Sequence, residues 1–238
     1  MLNYPIKINR DGNYDKITVQ GLRQIKSFDY DVPGDISSAS FFIVLTLLSK
    51  NSQIVIENVN INKSRTGIIK ILNKMGANIQ LKNKKLYNGE EIANIHVKSK
   101  RNLNSINCPA ELNSSAIDEF LIIFLVAAKS KGISKFKELG EMNKKESKRL
   151  NLAIKFLKLI GIKVKRFKND IKIYGNPNLI LSKKFEMKDF LKDHRIFFLS
   201  CITALTLGGK WKIHDKESIN TSNPEFLKTL KKIGAKIN

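Results

Sequence analysis

Residues 143–164 read Asn143-Lys144-Lys145-Glu146-Ser147-Lys148-Arg149-Leu150-Asn151-Leu152-Ala153-Ile154-Lys155-Phe156-Leu157-Lys158-Leu159-Ile160-Gly161-Ile162-Lys163-Val164. The apolar residues at 150, 153, 154, 157 and 160 keep the spacing of an amphipathic helix, which stops at Gly161 and gives way to a strand-like run. The same ending occurs twice more, as Lys74-Met75-Gly76-Ala77-Asn78-Ile79 and Lys232-Ile233-Gly234-Ala235-Lys236-Ile237. Working backwards, Asp35, Asp118 and Asp193 precede these glycines by almost equal lengths of chain. Each opens an apolar segment: Phe41–Leu48, Glu119–Ala128 and Ile196–Leu199. Strand-like runs follow at 53–59, 133–136 and 211–213, and then the second helices at 65–75, 143–160 and 224–233. The chain therefore reads as three copies of a helix–strand–helix–strand unit, an internal repeat, with boundaries at 32–107, 108–180 and 181–238. Residues 1–31 read as short strands and turns, the tail of a preceding domain.

Three such units sharing one core would place their first helices side by side. Buried on all sides, those helices need no polar face, which accounts for their nearly continuous apolar character. Their N-terminal ends would then converge, bringing Asp35, Asp118 and Asp193-His194-Arg195 to one rim. The front of the opening stretch adds charge there. Lys145 and Arg149 are four residues apart and share a face if the helix begins at Asn143. A helix N-terminus also offers free N–H groups and the positive end of the dipole, so the pair marks a place for a carboxylate or phosphate. A structural reading stands beside it: Asn143 as N-cap and Glu146 three residues later form a capping box.

Composition limits the alternatives. The 238 residues are 42% hydrophobic, enough for a proper core. No apolar run reaches the roughly 18 residues of a membrane-spanning helix. The N-terminal Met1-Leu2-Asn3-Tyr4-Pro5-Ile6-Lys7 lacks the apolar stretch of a secretory signal. Cys108 and Cys201 stand far apart, without neighbouring His or Cys, so the expectation is reduced thiols in a cytoplasmic protein and no metal site. Lys+Arg 43 against Asp+Glu 21 gives a net charge of +22, sufficient to draw any polyanion. The lysines are spread over polar faces rather than gathered with aromatics, so a solvated surface is expected and nucleic acid is not the expected partner.

Six motifs appear in an order found in one known family. They are Val32-Pro33-Gly34-Asp35-Ile36-Ser37-Ser38-Ala39-Ser40, Ser64-Arg65-Thr66-Gly67, Ile117-Asp118-Glu119, Lys145-Glu146-Ser147-Lys148-Arg149, Asp193-His194-Arg195 and Thr221-Ser222-Asn223-Pro224-Glu225-Phe226. In these the chain resembles the 5-enolpyruvylshikimate-3-phosphate synthase family over almost its whole length. The resemblance implies an α/β fold, an inverse α/β barrel-like domain of three repeats, here the C-terminal half and incomplete without the N-terminal half. It implies transfer of the enolpyruvyl group of phosphoenolpyruvate to the 5-hydroxyl of 3-phosphoshikimate with release of phosphate, no cofactor and no metal, and a monomer when complete.

By that resemblance Asp118 is the base for the attacking hydroxyl and Glu146 the acid/base at the methylene carbon. Asp118 and Lys145 contact 3-phosphoshikimate, and Arg149 and Arg195 hold the phosphoenolpyruvate carboxylate. Asp193, His194 and Asp35 are lesser candidates. Lys148, Asn143, Lys144 and Asn223 depart from the family pattern, and no phosphate-binding lysine stands near Thr221. Two other readings are a UDP-N-acetylglucosamine enolpyruvyl transferase, not expected to combine Lys-Glu-Ser-x-Arg with Asp-His-Arg, and a basic nucleic-acid-binding module.

Overall fold

The computed structural model describes residues 5–22, 24, 26–145, 147–190 and 192–237. In chain order the elements are β1 (Ile6–Asp11), β2 (Tyr14–Val19), α1 (Ile36–Leu48), β3 (Gln53–Asn60), α2 (Gly67–Lys74), β4 (Asn78–Tyr87) and β5 (Glu90–Lys98). Next come α3 (Asn113–Ala116), α4 (Phe120–Lys129), β6 (Ile133–Phe136), α5 (Arg149–Leu159), β7 (Val164–Phe167) and β8 (Asp170–Tyr174). The last are β9 (Leu181–Met187), α6 (His194–Leu207), β10 (Gly208–Ile213) and α7 (Phe226–Lys232).

The first helices of the three units, α1, α4 and α6, pack on one another pairwise. In α4 every residue from Phe120 to Ala128 is buried. Phe41 of α1 meets Phe198 of α6 edge-on at 5.0 Å, and Phe198 in turn lies 4.2 Å from Phe226 of α7. Each such side chain removed from water contributes roughly 1.5–3 kcal/mol. The second helices flank this centre and are amphipathic. In α5 the expected stripe Leu150, Ala153, Ile154 and Leu157 is buried while Asn151, Lys155 and Lys158 are exposed.

The repeated ending has a single backbone cause. Gly76, Gly161 and Gly234 all have positive φ, at +87°, +82° and +99°. The N–H of the next residue reaches back to close the helix in each case: Ala77 to Leu72, Ile162 to Leu157 and Ala235 to Leu230. That is the Schellman motif, which glycine enters without a Cβ penalty.

Units one and two build matching sheets, ordered β3-β5-β4 and β6-β8-β7, with antiparallel neighbours. In the third, β9 pairs in parallel with β10 across the crossover helix α6. The sequence pattern did not announce β9. Its counterparts in the other units are isolated parallel bridges, Gly34 to Val59, and Asn104 and Asn107 to Lys131 and Lys135. So each unit begins with a strand-like approach to its central helix, ahead of the helix–strand–helix–strand order.

One expectation fails. The helix predicted over 143–160 begins at Arg149. Residues Leu139–Lys144 form a 3-10 turn that includes Asn143, and Lys145 is extended at φ −80°, ψ −175°. Lys148 is the N-cap and makes no side-chain capping bond. Asn143 therefore caps nothing, and Glu146, the other half of the expected box, lies outside the described residues. The tertiary bonds of Ser147 and Lys145, given below, hold this segment open. They outweigh the roughly 1 kcal/mol that a cap supplies.

Candidate active site

Asp118 sits in the turn before α4, at the rim where α1, α4 and α6 begin. It does not cap its helix; the N-cap is Glu119, whose side chain makes no capping bond either. Four cations instead gather around Asp118. Arg149 Nη1 donates to Asp118 Oδ1 at 3.1 Å, and Lys145 Nζ lies 3.3 Å from the same oxygen. Arg65 Nη2 stands 3.9 Å from Oδ2. Arg195 Nη1 donates to the Asp118 backbone carbonyl at 2.8 Å. Lys145 and Arg149 thus do meet at one point, but because the extended segment turns Lys145 inward, not because they share a helical face.

Two further carboxylates complete the cluster. Asp193 caps α6 through the Arg195 N–H, accepts a hydrogen bond from Ser147 Oγ at 2.5 Å, and takes Arg149 Nε at 3.2 Å. Arg149 is therefore bridged between two aspartates and is only 2% exposed. Burial raises the cost of charge on both aspartates, yet their partners prevail. Arg195, Lys145 and Arg149 hold the Asp118 carboxyl below its ordinary range, and Ser147 with Arg149 does the same for Asp193. Glu119 goes the other way: burial pushes it up against the pull of Ser37 and Arg195. Neighbouring carboxylates driven apart in this way are a mark of a working site.

Asp35 caps α1 through the Ser38 N–H at 2.8 Å. With Ser37, His194, Arg195 and Ser222 it lines a small recess between the first turns of α1 and α6. It thus stands beside Arg195, outside the ring around Asp118. The His194 ring packs edge-on against Phe198 at 5.9 Å. Glu146 lies outside the described residues. Among the described residues, no group of three His, Cys, Asp or Glu side chains is placed to hold a metal. Burial pushes the Cys108 thiol up to about 11 and that of Cys201 to about 12, so neither is a ready nucleophile.

Reading the residues gave no part in the site to Arg65, Glu119, Ser37 or Ser147. A signal existed for Arg65: it precedes Gly76 by nearly the distance that separates Arg149 from Gly161. Gly67 lets it approach. A Cβ there would lie 2.7 Å from the Ser115 carbonyl carbon, so only glycine fits where α2 meets α3.

A ring of cations about an ionised carboxylate can hold an anionic ligand and present a proton acceptor to it. Comparison with known proteins gives a consistent set of relatives. A family model described as EPSP synthase (3-phosphoshikimate 1-carboxyvinyltransferase) matches residues 1–230. The 3-phosphoshikimate 1-carboxyvinyltransferase of Ruthia magnifica is 37% identical over 228 residues, covering 96% of this chain and 52% of that protein. The Staphylococcus aureus (strain COL) protein of the same description is 36% identical over 229 residues, again 96% and 52%. Among solved structures, an EPSP synthase from Acinetobacter baumannii superposes with a TM-score of 0.85 at 33% identity, over 97% of this chain and 52% of its own. The enolpyruvyl transferase NikO from Streptomyces tendae shares the fold, with a TM-score of 0.70 at 14% identity over 98% of this chain and 51% of its own. The chain spans about half the length of the curated relatives it matches.

Proposed function

The chain belongs to the EPSP synthase family, and we propose that it supplies the C-terminal half of an active site that joins phosphoenolpyruvate to 3-phosphoshikimate. The observation that carries this reading is the convergence of Lys145, Arg149 and Arg195 on Asp118. In this proposal residues 1–31 end the preceding domain, 32–107, 108–180 and 181–238 are the three repeats, and the partner is the other half of the enzyme. A cytoplasmic location goes with it. No described helix is long and apolar enough to cross a membrane.

The roles follow from reach. Asp118 is the base that accepts the proton of the 5-hydroxyl as that oxygen adds to phosphoenolpyruvate. So many cations make it a weak base on its own. Anionic substrates compete for those cations, loosen their hold and raise its basicity, which links binding to catalysis. Lys145 serves the 3-phosphoshikimate side. Arg195 faces the phosphoenolpyruvate carboxylate: its Nε–H is buried and has no hydrogen-bond partner among the described residues, a donor suited to a carboxylate oxygen. Arg149 joins it when the ligand replaces Asp118 on its guanidinium. Glu146 as the acid/base at the methylene carbon rests on the resemblance alone. The preset cations stabilise the charge that develops in the transition state.

The test is phosphate release from phosphoenolpyruvate plus 3-phosphoshikimate, by the chain alone and mixed with the N-terminal half of a relative. Turnover in the mixture that is lost in Asp118→Ala supports the assignment. No turnover in a mixture of folded halves sinks it.

A further inference from the structure

Glu119 is the buried carboxylate of the cluster to which neither the sequence nor the proposed reaction gives a role. It stands at the N-cap of a buried ten-residue helix, yet its side chain leaves the helix amides alone. A capping carboxylate is worth about 1 kcal/mol, and here that gain is forgone. The carboxylate is instead 2% exposed and accepts from Ser37 Oγ at 2.5 Å. Ser37 Oγ in turn accepts from Arg65 Nη2 at 2.9 Å. On its other side, Glu119 Oε1 lies 3.9 Å from Arg195 Nη1. A buried, uncompensated carboxylate is costly, so this one must be held by these neighbours.

The chain positions of those neighbours give the arrangement its sense. Asp118, Lys145 and Arg149 come from the second unit. Arg65 comes from the first and Arg195 from the third. Asp193 already steadies Arg149. We infer that Glu119 is a positioning residue, which anchors Arg65 through Ser37 and Arg195 by charge, and so fixes the two cations that other units bring to Asp118. The charged groups facing it are Arg65 from the segment before α2, Arg195 from α6 and Asp118 beside it in sequence. The geometric claim stands apart from the proposed reaction; its effect on substrate binding rests on that reading.

Side-chain hydrogen exchange tests it on the chain itself. At neutral pH the buried Arg195 Nε–H should give a protected NMR signal, identified by its loss in Arg195→Lys. In Glu119→Gln that proton should exchange at least about tenfold faster, as expected when a charged partner is lost. Amide protection in Phe124 and Leu125 should stay unchanged. Acidification of the wild type through the raised Glu119 range should give the same loosening, and Glu119→Gln should not respond.

Unchanged Arg195 protection in a folded Glu119→Gln overturns the inference. If that variant loses the protection of α4, Ser37→Ala decides. It keeps the carboxylate and cuts the relay, so the Arg65 side chain alone should loosen; no change in Arg65 overturns the inference. In the reconstituted enzyme, Glu119→Gln should raise KM for phosphoenolpyruvate about tenfold with a smaller change in kcat. A wild-type mixture without activity refutes the proposed reaction and leaves the exchange result to judge Glu119.

Discussion

Two regions of this molecule break the rule that apolar groups lie inside and charged groups outside, and they break it in opposite ways. At the rim of α1, α4 and α6, Arg149, Asp193 and Glu119 are buried. On the hairpin of β1 and β2, Ile6 faces Val19 and Ile8 faces Ile17, and all four are more than half exposed. The hairpin is a local object. Alternating residues and Gly12, at φ +61°, set its register with no help from the core. The rim is the reverse, since apart from the helix caps made by Asp35 and Asp193 its ion pairs and side-chain hydrogen bonds join distant parts of the chain. Buried charge is tolerated only where partners compensate it, so the rim is coupled while the hairpin is not.

That contrast can be broken most directly at Arg149. Arg149→Ala leaves Asp118 and Asp193 without their shared partner and should cost about 3–5 kcal/mol of stability in urea denaturation. A loss below about 1 kcal/mol would mean that the rim is no more coupled than the hairpin. Asp193→Asn keeps the shape and removes the charge, and should cost roughly 2–3 kcal/mol.

The same carboxylates set the acid limb. Asp118 and Asp193 have folded pKa values below the unfolded value of about 3.9. Their stabilisation is complete above that value and is lost as pH falls through the folded values. Glu119, raised, acts oppositely: it favours the fold at low pH and loses that contribution as pH rises through its folded value. Denaturation midpoints measured from pH 7 downward should therefore drop below about pH 4 in the wild type, and less so in Asp193→Asn.

A smaller effect sharpens the border of the rim. Lys148 is the exposed N-cap of α5 without a capping bond. Lys148→Asp should stabilise the chain by about 0.5–1 kcal/mol, read as a rise in melting temperature. The smallest change belongs to the hairpin. Ile17→Thr should alter the stability of this chain by no more than about 0.5 kcal/mol. A larger loss would show that the hairpin is tied to the core.

Much of the fold could be read from the residues. The apolar runs of α1 and α4 and the three glycine endings are local signals, each written within one or two helical turns. Asp35, Asp118 and Asp193 were recognisable by their matching places in the repeat. The start of α5 was not legible. The capping box spelled by Asn143 and Glu146 is a correct local reading that loses to contacts from Ser147 to Asp193 and from Lys145 to Asp118, 46 and 27 positions away in sequence. β9 was missed because its strand pairs with β10 across a whole helix.

The sequence by itself determined the three repeated units, their buried central helices, their closing glycines and the stock of cations near one rim. Those features depend on side-chain periodicity and backbone freedom, which act over a few residues. Only the tertiary structure decided which charges meet: that Arg149 is bridged between two aspartates, that Arg65 and Arg195 arrive from other units, and that Glu119 turns away from its own helix toward Ser37. Such pairings become favourable only once packing of the three helices has excluded water from the rim, because charges in a low-dielectric setting must be matched by whichever partners the fold brings within reach.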